Sequence, residues 1–151
     1  MSEFPKNFSI PAATVIPVLP YPDVRAAVAW LTEVFGFAER LQIADHRAQM
    51  NVPGGGAMIV AEYMDPDRRP QPGADYATHG VIVRIPDVDA HYAHVKACGA
   101  DILWEPKDFE YGERQYAVRD IGGHRWTFSQ TLFNAHPADW AGPDVVLKLE
   151  E

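Results

Sequence analysis

The apolar residues of this chain change their spacing in the same order twice. From Thr14 to Tyr21 ("TVIPVLPY") they are close-set, as in a buried strand; from Val24 they recur as Ala27, Val28, Leu31, Val34 and Phe35, the spacing of one helix face. Three shorter runs follow, "FAERLQIAD", "RAQMNVPG" and "AMIVAEYM", separated by Gly, Pro and Asp, the residues of turns. The second half repeats the order. "HGVIVRIP" (His79 to Pro86) reads as a strand, Val88, Tyr92, Val95 and Cys98 lie at helical spacing, and "ADILWEP", "RQYAVRD" and "HRWTFSQT" read as three more strands. The pattern predicts β-α-β-β-β twice, an α+β fold.

Local signals agree with the duplication. Asp23 and Asp87 stand where a carboxylate accepts from the free amides of a first helical turn, and Gly36 and Gly99 stand where a helix ends in a left-handed residue. The turns before the last strands also match, "PGGGAMIV" (Pro53 to Val60) against "IGGHRWTF" (Ile121 to Phe128). We therefore divide the single domain 1–151 into a first module (14–64), a linker (65–78, rich in proline and polar residues), a second module (79–132) and a tail (133–151). The tail carries Trp140 but no clear period, and is expected to wrap the surface or pack on a partner chain.

Composition narrows the partners. A length of 151 residues, 47% of them hydrophobic, suits one domain with a real core. A formal charge of −8 argues against nucleic acid and against an anionic membrane surface, leaving a small molecule or another protein. One cysteine, Cys98, excludes an intramolecular disulfide; it is read as a small buried residue at a helix end. No run has the length and apolarity of a signal peptide or membrane span, so a cytoplasmic location is expected.

Two modules with "PDV" opening each helix, "YGERQY" before the penultimate strand and Asp-x-x-Gly-His-x-Trp-x-Phe at the last hairpin resemble the vicinal oxygen chelate superfamily. That superfamily holds glyoxalase I, extradiol dioxygenases, fosfomycin-modifying enzymes and bleomycin-resistance proteins. The likeness runs from about Thr14 to Thr131, and the chain is most similar to glyoxalase-like, PhnB-like members. It implies the glyoxalase/bleomycin-resistance fold, a curved mixed sheet around a cavity, often in a homodimer.

In metal-dependent members the resemblance implies four ligands, His, Glu or Gln, from the first and last strand of each module. Such an ion holds two neighbouring substrate oxygens and stabilises an enediolate-like charge. Counting from the helix starts and the turn glycines puts those positions at Ile16, Val60, Gly80 and Thr127, none a ligand beyond a weak hydroxyl. No metal is therefore expected. The alternative is a divalent ion such as Zn, Ni, Mn or Fe on relocated ligands, with His79 and Glu62 the candidates.

Strand alternation then sorts the other polar residues. With Thr127 toward the cavity, Arg125 and Ser129 face it too, while Trp126 and Phe128 point to the helices and His124 is structural. The same alternation places Val18, Met58, Glu62, Ile82 and Arg84 toward the cavity. Glu62, Arg84, Arg125, Thr127, Ser129 and Met58 form the candidate ligand-binding set, which an internal salt-bridge network would also explain. Gln49, Asn51, Trp104, Arg114 and Tyr116 lie on strands whose register the sequence leaves open. His91 and His94 have a spacing that can share a metal, but Asp89 and Lys96 suggest a solvated helix face.

The leading expectation is metal-independent binding or sequestration of a small amphipathic molecule by a homodimer. Its rival is a metal-dependent lyase, isomerase or dioxygenase of the glyoxalase type, and whether any reaction is catalysed stays open. An interaction module built on Trp140 and the tail is a third reading.

Overall fold

A computed structural model of the chain describes residues 4–63 and 79–149. The first module runs β1 (Val18–Tyr21), α1 (Val24–Trp30) continued by a π-helical turn (Leu31–Phe35), β2 (Ala38–Ile43), β3 (Arg47–Val52) and β4 (Gly56–Glu62). The second runs β5 (Val81–Arg84), α2 (Val88–Ala97), β6 (Asp101–Asp108), β7 (Glu113–Arg119) and β8 (Arg125–Thr131). A short 3-10 turn (Pro137–Asp139) follows in the tail. The linker expected at 65–78 lies outside the described residues.

Each module makes one four-stranded mixed sheet, in the orders β1-β4-β3-β2 and β5-β8-β7-β6. The first strand of each pairs parallel with the last, and the other pairs are antiparallel. The two mixed sheets stay unclosed, one per module, which is the expected α+β architecture of two β-α-β-β-β modules. Asp23 and Asp87 cap as predicted, accepting from the Ala26 and Ala90 amides at 3.0 Å each. Gly36 (φ 81) and Gly99 (φ 79) supply the left-handed turn after each helix. The strand predicted from Thr14 pairs only from Val18, following two residues that include Pro17.

One apolar cluster joins the inner faces of both sheets with both helices, through Leu19, Tyr21, Val60, Tyr116, Trp126 and Phe128 among others. Phe35 links the modules: its ring meets Trp126 and Phe128 edge-on at 5.6 and 4.9 Å. Beside it, His91 Nε2 donates to the Phe35 carbonyl at 3.1 Å and His94 Nε2 to that of Glu33 at 2.8 Å. The α2 histidines therefore pin the π-helical turn of the other module, which corrects the solvated-face reading for His91, while His94 stays exposed. Cys98, expected to be buried, is exposed. No helix among the described residues is long and apolar enough to cross a membrane.

Candidate functional site

The outer face of each sheet, turned from the helices, is where ligand chemistry has room. On the first sheet the part of that face around Gln49 lies under the chain's own N-terminal arm, while Val18 stays exposed. Arg40 bonds Gln49 and donates to the Phe8 carbonyl at 2.9 Å, and Gln49 donates to the Ser9 carbonyl at 2.9 Å. Gln49 is thereby buried.

The second sheet carries an open outer face. Pairing across β5, β8 and β7 sets Ile82, Thr127 and Ala117 in one row, with Arg84, Ser129 and Gln115 in the next. Glu113 stands opposite Thr131 beyond them. Their polar groups form a chain: Tyr111 Oη donates to Gln115 Oε1 at 3.0 Å, Gln115 Nε2 to Ser129 Oγ at 3.0 Å, and Ser129 Oγ to Glu113 Oε1 at 2.7 Å. Burial, and then the Glu113 charge, push the Tyr111 phenol above its ordinary pKa, so it remains a proton donor. Trp140, from the tail, rests against Tyr111 with ring centroids 5.2 Å apart, so the tail folds onto its own module.

Three cavities meet on this side. One of about 550 Å³ is lined by Ile82, Arg84, Tyr111, Glu113, Gln115, Thr131 and Trp140. A second, about 520 Å³, lies between the Pro53–Gly54 turn and Arg84, Pro86 and Gln130. The third, about 280 Å³, enters the seam between the modules and is walled by Val15, Pro17, Met58, Val81 and Trp126. Arg84 borders all three.

The candidate residues fall into three groups. Arg84 and Met58 line cavities; Arg125, Thr127 and Ser129 share a strand face with Arg84; Glu62 lies apart, paired with Tyr21 at the end of β4. In β4 the faces are shifted by one residue from expectation, while Val18 on β1 keeps the expected face. Val18 pairs with Ile59, as Ile82 pairs with Thr127, so Ile59 is the counterpart of Thr127. Val60 and Met58 are fully buried on the inner face, and Met58 reaches the seam cavity from there. Tyr111, Glu113, Gln115 and Trp140 were missed; the alternation in "YGERQY" was the available signal for the first three.

The corrected register supplies no ligands. Ile16, Ile59, Gly80 and Thr127 hold no donor beyond one hydroxyl, which does not fit the divalent ion of a metal-dependent member. The His79 ring lies 5.7 Å from that of His124. Among the described residues no three His, Cys, Asp or Glu side chains gather to hold a metal. His124 itself is buried, its Nε2 donating to the Pro20 carbonyl at 2.7 Å. Two of the register-uncertain residues are structural: Tyr116 Oη bonds His91 Nδ1 at 2.6 Å, and Arg114 bridges Asp89 and Asp108 at 2.8 and 2.7 Å, while Asn51 is exposed and Trp104 meets Phe109.

Comparison with known proteins places this geometry. The family model described as Glyoxalase/Bleomycin resistance protein/Dioxygenase superfamily matches residues 13–128. Among solved structures, TioX from Micromonospora sp. ML1 is 33% identical, with a TM-score of 0.64 over 82% of this chain and 100% of that one. Lactoylglutathione lyase from Agrobacterium tumefaciens is 18% identical (TM-score 0.59; 80% and 94% covered). TnmS3, an antibiotic binding protein from Streptomyces sp. CB03234, is 21% identical (TM-score 0.58; 77% and 93% covered). No curated protein sequence matches.

Proposed function

Because this chain belongs to the glyoxalase/bleomycin resistance protein/dioxygenase superfamily yet has no donor set at the family's metal positions, we propose that it binds and sequesters a small amphipathic molecule without a metal or other cofactor. The observation that carries this reading is the 550 Å³ cavity, whose Ile82, Tyr111 and Trp140 walls surround polar groups already bonded to one another. Such a surface receives an apolar body and leaves few polar groups to desolvate. A ligand that hides roughly 150 Å² of apolar area there gains about 4 kcal/mol from burial alone.

The fold does not choose between binding and catalysis, since its neighbours include both a lyase and an antibiotic binding protein. The donor chemistry favours binding. We further propose a cytoplasmic homodimer, in which a second copy covers the outer faces where Val18 and Ile82 are 52% and 65% exposed.

The test is elemental analysis of untagged protein, with thermal melts in chelator and in added Ni, Zn, Mn or Fe. The expected result is no retained metal and no shift, followed by small-molecule binding in equilibrium dialysis. Near-stoichiometric metal, with chelator lowering the melting temperature, would replace this reading with the metal-dependent one. His79→Ala and Glu62→Ala would then be the first ligand tests.

A further inference from the structure

We propose that Arg84 is the anchor for an anionic group, so that the ligand is an amphipathic monoanion, such as a carboxylate on an apolar or aromatic body. This rests on the binding reading above and names the class of molecule the face accepts.

The first argument is what Arg84 lacks. Arg25, Arg114 and Arg119 each have a carboxylate partner, at 2.6, 2.7 and 3.7 Å. Arg40 is held by Gln49 and the Phe8 carbonyl, while Arg47 and Arg125 have no ion pair among the described residues but border none of the three cavities. Arg84 has no carboxylate within 4.0 Å among the described residues, and its one side-chain bond is Nη2 to Thr131 Oγ1 at 3.1 Å. A guanidinium carries five N–H donors in a planar fork that matches a carboxylate, so most of that fork is left for a ligand.

Position is the second argument. Arg84 borders every one of the three cavities, so a group bound to it has its body lying against Tyr111 and Trp140, under the Pro53–Gly54 turn, or in the seam beside Met58 and Trp126. In each direction the walls are mainly apolar. The ligand's single polar end is thereby fixed while its body is buried.

Glu113 supplies the selectivity. It lies on β7, with β8 between it and Arg84, so the two backbones are about 10 Å apart, and its carboxylate is tied to Ser129 rather than to Arg84. A second anion at the far end of the ligand would meet that charge, as would an anion bound in the reverse orientation. The chain's net charge of −8 opposes any anion, a dianion most, so the local Arg84 guanidinium has to outweigh it and does so most readily for a single charge.

The experiment uses three probes of one shape in calorimetry with the full chain: 1-naphthoate, 1-naphthalenemethanol and 1-naphthylmethylammonium. We expect naphthoate to bind about tenfold or more tightly than the alcohol, and the ammonium most weakly. Arg84→Gln should remove the preference for naphthoate over the alcohol, and Arg84→Lys should keep part of it. Equal affinity for all three, or naphthoate binding that ignores Arg84→Gln, overturns the anionic anchor and leaves the binding function standing. Absence of binding by every probe overturns both.

Discussion

The Tyr21 hydroxyl donates to the Asp120 carboxylate at 2.5 Å, bonding the first strand of one module to the last hairpin of the other. The same carboxylate accepts from Trp126 Nε1 and from the Gly122 and His124 amides, each at 2.9 Å. This explains the Asp-x-x-Gly-His-x-Trp motif as a buried latch: Asp120 shapes the turn, orients the core indole and holds the modules together. Burial, with the Asp120 charge and hydrogen bond, raises the Tyr21 pKa well above its ordinary value, which keeps the phenol a donor.

Removing the acceptor leaves four donors without their partner, three of them buried and the Gly122 amide half-buried. Asp120→Ala should cost about 3–5 kcal/mol of stability, against about 1–2 kcal/mol for Tyr21→Phe, which leaves three of the four bonds in place. Urea unfolding of both variants checks the ratio. Equal small losses would mean that the latch contributes little.

Gly122 has a steric reason to be glycine. A Cβ there would lie 2.5 Å from Tyr21 Cδ2, and that ring is fully buried with its hydroxyl tied, so it has nowhere to move. Gly122→Ala should cost about 1–3 kcal/mol. At Gly80 the nearest heavy atom is 3.9 Å from such a Cβ, so Gly80→Ala serves as the tolerated control in the same unfolding assay.

The sequence was legible where its pattern had a phase. In β8, Arg125, Thr127 and Ser129 alternate with Trp126 and Phe128, and the structure keeps that alternation. In β4, Ala57, Met58, Ile59 and Val60 are all buried, so both faces are apolar and nothing local sets the phase. The glycine turns did hold it, since "PGGGAMIV" against "IGGHRWTF" matches Val60 with Phe128, both of which are core. What stayed hidden was non-local. The environment of His91 depends on a π-helical turn more than fifty residues earlier in the chain, and Trp140 reaches Tyr111 from a tail with no period.

His91 should make stability pH-dependent. Its burial, together with the nearby His94, lowers its pKa below the ordinary 6.5, outweighing the hydrogen bond to Phe35. Nε2 gives its proton to the Phe35 carbonyl, so Nδ1 accepts from Tyr116 Oη, an arrangement that protonation breaks. Between the lowered folded value and 6.5 the unfolded chain binds more protons, so this stabilisation is full above 6.5 and is lost as pH falls through the folded value. Melting temperatures at pH 7.5 and 5.5 should fall more steeply for wild type than for His91→Gln. Parallel falls would place the acid sensitivity elsewhere.

The proposed homodimer makes the sharpest prediction about assembly. Val18 and Ile82 occupy equivalent places in the repeat, each on the first strand of its sheet, opposite Ile59 and Thr127 respectively. Both are more than half exposed, and Phe8 and Val15 add 76% and 78% exposed apolar surface on the first module's side. A stable interface hides about 800 Å² on each partner and is intolerant of an unpaired charge at its centre. Light scattering should give a mass near two chains of 16.8 kDa for wild type, and a shift toward one chain for Ile82→Asp and Val18→Asp. Circular dichroism of the variants should remain that of the folded protein, because neither side chain belongs to the core. A wild-type mass of one chain at every concentration would remove the second copy from the proposal and leave the cavity beside Arg84 as a monomer's site.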